Sequence, residues 1–83
     1  MEMRELKIRL SASLNMLKGF CCNGILCNGW REVSDEVIEF RPKGPGRIIR
    51  INVSDIVRVD TCRIYDERNG FNKPYPNVVT KEG

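Results

Sequence analysis

Between residues 6 and 16 apolar and polar side chains alternate. Leu6, Ile8, Leu10, Ala12, Leu14 and Met16 are interleaved with Lys7, Arg9, Ser11, Ser13 and Asn15. Alternation of period two over such a stretch predicts a half-buried strand. A helix competes for the same segment, because Met3, Leu6, Leu10, Leu14 and Leu17 also lie along one helical stripe. It would leave Ile8, Ala12 and Met16 on other faces, so the strand is the reading adopted. Lys18-Gly19 then marks a turn. Phe20 to Trp30 is apolar and is broken by Asn23-Gly24 and Asn28-Gly29, pairs that tolerate the positive φ of hairpin turns and bulges. Trp30 itself is expected to cap the core.

Val37-Ile38-Glu39-Phe40 reads as a short strand ended by Arg41-Pro42, and Lys43-Gly44-Pro45-Gly46 as a loop. Ile49, Ile51 and Val53 alternate with Arg50 and Asn52 in a further strand. Ser54-Asp55 interrupts it; Ile56, Val57 and Val59 resume the β pattern, and Cys62-Arg63-Ile64-Tyr65 extends it. Asp66 to Asn77, with Asn69-Gly70 and Lys73-Pro74-Tyr75-Pro76, reads as an exposed and partly extended loop, and Val78-Val79-Thr80 as a last strand. Short strands separated by turns every eight to twelve residues or so indicate a small barrel or a curled sheet. The expectation is a mainly β single domain over residues 1–83, a small curled sheet or partly open barrel of five to six strands, with 1–5 and 66–77 flexible.

At 83 residues the chain holds one domain, and a domain this small buries only roughly 60–65% of its unfolded surface. Its core is therefore thin. Apolar residues at 41% and charged residues at 30% give an ordinary globular balance and argue against disorder. The net charge of +3 permits an acidic partner without demanding one. No apolar run approaches the roughly 20 residues of a membrane span, and Met1-Glu2-Met3-Arg4-Glu5 has no signal-peptide character. The expected location is cytoplasmic. In a reducing compartment Cys21, Cys22, Cys27 and Cys62 stay reduced and serve as small strand hydrophobes. A four-cysteine zinc site needs two close pairs, whereas Cys62 stands alone and the chain has no histidine, so no metal is expected.

Missing histidine also removes the usual general base near neutral pH, and it leaves the cysteines without an activating partner. No phosphate cradle of the Gly-rich, Lys-Ser/Thr type occurs. Asp35-Glu36 and Asp66-Glu67 are adjacent carboxylates, which on a strand point to opposite faces and suit turns better. The chain is expected to be neither an enzyme nor a cofactor carrier. The candidate binding residues are the basic run Arg41, Lys43, Arg47 and Arg50, with no acid among residues 41–50, and the loop aromatics Phe71 and Tyr75. Converging guanidinium groups hold phosphates through charge-assisted, bidentate hydrogen bonds. An apolar loop tip either folds over a thin core or meets a partner.

Several segments resemble GRAM domains, the small relatives of pleckstrin-homology domains. Ser11 to Gly19 is similar to their first strand, Asn23-Gly24-Ile25-Leu26 to their Gly-x-Leu strand, and Val33 to Phe40 to their strand ending in apolar-x-Phe. Arg50 to Val59, with Ser54-Asp55-Ile56, is similar to their Ser-Asp-Ile element, and Val78 to Gly83 to a strand running into a Lys-Asp-Gly turn. The resemblance spans about residues 11 to 83 and rests on short motifs. It implies a shortened pleckstrin-homology-like fold without the family's last strand and C-terminal helix. That in turn implies a homodimer, in which a second subunit covers the core, and recognition of a protein partner or an acidic lipid headgroup. The chief alternative is an Sm-like barrel that binds single-stranded RNA as a ring. Such chains begin with a helix, so helix over 3–17 would favour it. RNA binding also asks for basic residues interleaved with aromatics, and the loop at 41–47 has none. A small inhibitor or adaptor that blocks a larger protein is the third class.

Overall fold

The computed structural model describes residues 1–82 and is mainly β, as the strand and turn pattern implies. Its first element departs from expectation. Met3–Leu17 is an α-helix, α1, and not a strand over 6–16. It also takes in residues 3–5, expected to be flexible, and Leu6 N–H closes the first turn on the Glu2 carbonyl at 3.0 Å. Part of the physical reason lies in residue type. Ile8 is the sole β-branched residue of the segment, and Arg, Glu, Leu, Lys and Ala all have good helical propensity. The helix buries Leu6, Leu10 and Ser13 and packs Met3 and Leu14 against the core, which leaves Ile8, Ala12 and Met16 exposed. Lys18 ends it in the left-handed conformation at φ 64°, its N–H bonded to the Leu14 carbonyl.

Six strands follow: β1 (Phe20–Cys22), β2 (Ile25–Glu32), β3 (Val37–Pro42), β4 (Ile49–Asn52), β5 (Ile56–Asp66) and β6 (Phe71–Thr80). A single 3-10 turn at Val53–Asp55 replaces the Ser54-Asp55 break, with the Asn52 side chain accepting from Ser54 N–H. The strands form one curled sheet in the order β4-β3-β2-β1-β6-β5. Every neighbouring pair is antiparallel except β1 and β6, which run parallel at Cys21↔Asn77 and Cys22↔Val78. Both Asn-Gly signals are used. Asn23 and Gly24 sit at φ 50° and 83° in the two-residue β1–β2 turn, where positive φ is required. Asn28 is the extra residue of a bulge, where the register passes from Cys27↔Pro42 to Gly29↔Arg41. The Asn23 side chain also stitches the turn to β6, donating to Thr80 Oγ1 at 2.9 Å and accepting from Thr80 N–H at 3.0 Å.

The segment from 66 to 77, expected as a loop, is a hairpin tip and most of a strand. Only residues 67–70 turn, with Gly70 at φ 71°, and β6 pairs with β5 from Phe71↔Asp66 to Thr80↔Ile56. Pro74 and Pro76 are tolerated because β6 meets β1 only at Asn77 and Val78, so the proline half of the strand has a neighbour on one side alone. A missing N–H facing the open side breaks no ladder bond.

The core lies between α1 and the concave face of the sheet. Leu6 and Leu10 from the helix meet Phe20, Cys22, Cys27, Ile38, Phe40, Val53 and Val78. Phe20 and Phe40 pack edge to face with centroids 4.9 Å apart, and Trp30 lies half-buried against the same cluster. Cover over the core thus comes from the chain's own N-terminal helix. Leu10 is 2% exposed, and truncating such a leucine costs about 2–5 kcal/mol, a large share of a small domain's stability. Leu10→Ala is therefore expected to lower the urea midpoint sharply or unfold the chain, whereas Met16→Ala on the exposed face leaves it nearly unchanged.

Candidate binding site

At one end of the molecule the β5–β6 hairpin, the C-terminus of α1 and β2 enclose an open cleft of about 440 Å³. Its apolar floor is formed by Leu17, Leu26, Ile64 and Tyr75. Lys18, Lys43, Arg68 and Lys73 supply positive charge around it, against Asp66 and Glu67, and Tyr65 stands on the rim. Strand alternation explains the arrangement. Phe71, Lys73 and Tyr75 are two residues apart on β6 and share one face of the hairpin, opposite Asp66, Ile64 and Cys62 of β5. Tyr75 is buried, its ring beside Gly19 and Leu26, where a Cβ on Gly19 would come within 3.4 Å of the ring. Phe71 lies at the tip and is 52% exposed.

Two of the charged groups have structural partners. The Lys73 ammonium donates to the Leu17 carbonyl at 3.0 Å and lies 5.3 Å from the Tyr75 ring centroid. It satisfies a carbonyl at the helix C-terminus, where a cation also suits the dipole. Asp66 accepts from Asn69 Nδ2 at 2.7 Å and from Arg68 N–H at 3.0 Å. These bonds, Asn69 foremost, hold its carboxyl below the ordinary value and tie the charge into the turn. Lys18, Lys43 and Arg68 are exposed at the cleft and make no side-chain hydrogen bond or ion pair among the described residues.

The four basic positions singled out in the sequence do not converge. Lys43 lines the cleft. Arg41 and Arg50 lie instead on the outer face of β3 and β4. There Arg31, Glu39 and Arg50 form a cross-strand row on β2, β3 and β4. Arg31 Nη2 reaches one Glu39 oxygen at 2.6 Å, and Arg50 Nη2 the other at 2.8 Å. Arg31 and then Arg50 hold the Glu39 carboxyl below its ordinary value. Arg41 bonds Asn28 Oδ1 at 3.3 Å and lies over Gly29, where a Cβ would come within 2.9 Å of its guanidinium. Arg47 is exposed in the β3–β4 loop and is not among the residues that line the cleft. Arg50 is thus committed to an internal ion pair, while Lys18, Lys73, Arg68 and Tyr65 belong to a site for which the sequence offered no contiguous signal.

The cysteines lie within the sheet. Burial pushes the Cys21 thiol up to about 12, with a hydrogen bond to Cys62 adding to it, and raises Cys22 to about 11 and Cys27 to about 12. Cys21 and Cys62 are on strands separated by β6. Two strand spacings, roughly 9–10 Å, exceed the Cα separation a disulfide spans. Among the described residues no group of His, Cys, Asp and Glu is placed to hold a metal ion, and no helix is long and apolar enough to cross a membrane. No family model, curated protein or solved structure matches the chain.

Two outcomes are expected. Titrated with a thiol reagent under native conditions at mildly alkaline pH, Cys62 reacts first and the other three react only on unfolding, because a buried thiol with a raised pKa forms little thiolate. For Glu39 the folded carboxyl binds its proton less tightly than the unfolded one. Its contribution is therefore full above the ordinary value of 4.5 and is lost as pH falls through the lowered value. Glu39→Gln should be less stable than the parent at neutral pH, and urea titrations should show the difference shrinking in acid.

Proposed function

We propose that the chain is a non-catalytic binding module of the cytoplasm that recognises an acidic headgroup at a membrane surface. One observation carries this reading: Lys18, Lys43, Arg68 and Lys73 surround a headgroup-sized cleft, and Phe71 projects from the hairpin face that forms its wall. Adsorption to a membrane surface needs both parts. A cation near an anionic leaflet contributes about 1 kcal/mol, and an apolar side chain inserted at the interface adds to it, where either alone binds marginally. The tyrosines give the cleft an apolar wall against which a ring-shaped headgroup packs. The homodimer expected from the sequence stays part of the proposal on the open sheet edges at β4 and β5 alone, since α1 supplies the cover over the core.

A second reading, single-stranded RNA, is favoured by two specific observations. The chain begins with a helix, and folding places Lys43 of the basic loop in the lining of the same cleft as the exposed Tyr65, which the sequence keeps apart. Bases stack on aromatic rings next to cations in such sites.

Co-sedimentation with vesicles separates the two. Binding to phosphatidylcholine vesicles is expected only when an anionic phospholipid is added. Lys18→Glu with Lys43→Glu should weaken it at least tenfold, since each reversal removes a cation worth about 1 kcal/mol, and Phe71→Ser should weaken it severalfold. Indifference to lipid charge or to these substitutions would sink the headgroup reading. Saturable binding of an oligouridylate in fluorescence anisotropy, lost in the same double variant, would replace it with the RNA one.

A further inference from the structure

Strand β4 is an edge of the sheet, and its ladder fixes which of its groups point outward. Val53 N–H bonds the Glu36 carbonyl at 2.7 Å, one step beyond the pair Val37↔Asn52. Bonded and non-bonded pairs alternate in an antiparallel ladder, so Ile49 and Ile51 turn their main-chain groups to β3 and Arg50 and Asn52 turn theirs away. The β2–β3 ladder agrees. Val33 N–H bonds the Val37 carbonyl, which puts the main-chain groups of Glu39 toward β2 and not toward Arg50. No other strand pairs with β4, and the Arg50 N–H and carbonyl stand open at the edge. Side chains on both faces are incomplete at the same place. On the outer face the charges run Arg31, Glu39, Arg50 at matched register and stop there. Arg50 gives Nε and Nη2 to Glu39, which leaves Nη1 for a second carboxylate on a side chain that is 62% exposed. On the inner face Ile49 and Ile51 are only partly buried against the core. Glu82 of this chain lines a cavity of about 70 Å³ with Arg50 and Asn52 but makes no ion pair with Arg50 among the described residues.

We propose that β4 is a docking edge for an extended segment of another protein, in which an acidic residue stands opposite Arg50 between two apolar ones. Strand addition of this kind takes its affinity from main-chain bonds and its specificity from alternate side chains. Antiparallel pairing is the arrangement in which one residue exchanges both bonds with Arg50. Directly opposed residues share a face, so the acid adds a fourth member to the row of alternating charge on the outer face. Its two neighbours point the other way and fall beside Ile49 and Ile51 on the inner face, where apolar side chains extend the cover. The same strand of a second copy cannot supply this pattern, because residues 47–52 contain no acid. The homodimer then falls to β5, the sheet's other open edge. No residue of β4 lines the cleft, so the docking edge stands independently of the headgroup reading.

The probe is a capped peptide, Ser-Thr-Val-Glu-Val-Thr-Ser, titrated into nitrogen-15-labelled protein while amide shifts are followed. Saturable shifts are expected at the amides of Arg50 and Asn52. Lysine in place of the peptide's glutamate should weaken binding severalfold, and Arg50→Glu should reverse that preference. Arg50→Gln, a milder change beside Glu39, should erase it. Methylating the nitrogen of the peptide's glutamate should abolish binding, since that N–H faces the Arg50 carbonyl. Methylating the nitrogen of the following valine, which points away from β4, should leave binding nearly unchanged. Equal affinity for the glutamate and lysine peptides, equal tolerance of the two methylations, shifts confined to β5, or no saturable binding would each overturn the proposal. So would shifts at Arg50 and Asn52 that follow protein concentration without peptide, which would give the edge to a second copy.

Discussion

Everything else in the molecule depends on the docking of Leu6 and Leu10 onto the concave face around Phe20 and Phe40. An open curled sheet of this size has no second sheet to close against, and its apolar face must be covered by something. Helix α1 does this, and the two leucines are almost completely buried in consequence. The same contact explains why a segment with strict two-residue alternation becomes helical. Local pattern offered a strand with six apolar residues on one face; the tertiary fold required two leucines at a spacing of four, and burial there outweighed the exposure of Ile8, Ala12 and Met16.

The cleft is a by-product of that docking. Ser13 Oγ donates to the Gly19 carbonyl at 2.7 Å and Lys73 donates to the Leu17 carbonyl, so the helix C-terminus is held both to the start of β1 and to the distal hairpin. These bonds satisfy carbonyl groups at and just after the end of the helix, and Lys18 and Lys43 line the same cleft with Leu26 and Tyr75. The hairpin is long enough to reach them because β5 and β6 pair over almost their whole length. Positive charge therefore accumulates at one end from three separate stretches of sequence.

On the other side of the sheet, charge is used internally. Glu39 accepts from two arginines on neighbouring strands, each to its own oxygen, which gives Arg50 a partner within the chain while its side chain stays exposed. An exposed pair of this kind contributes modestly to stability, but the row also opposes unlike charges across strands at matched register, as β pairing prefers. The buried thiols play the complementary part as small apolar residues in the tightest strand, β1, where Phe20, Cys21 and Cys22 are all inaccessible to solvent.

What the sequence determined by itself were the features fixed by local chemistry. The Asn23-Gly24 turn follows from the φ preferences of those residues, the loop at 43–46 from its proline and glycines, and the strands at 37–40, 49–53 (less Val53, which enters the 3-10 turn) and 56–65 from short-range alternation. Lys43 and Tyr75 were also visible as candidates, since charge and aromaticity can be read one residue at a time. What only the tertiary structure decided were the matters that depend on distant neighbours. Residues 6–16 carry two periodicities at once, and the sheet's demand for a cover chose between them. Pro74 and Pro76 argue against a strand until it is known that β6 has an open side there. Which side chains a basic residue meets is likewise set by the fold: Arg50 lies opposite Glu39, while Lys43 lines one cleft with Lys18, and neither relation is written in the spacing of residues along the chain.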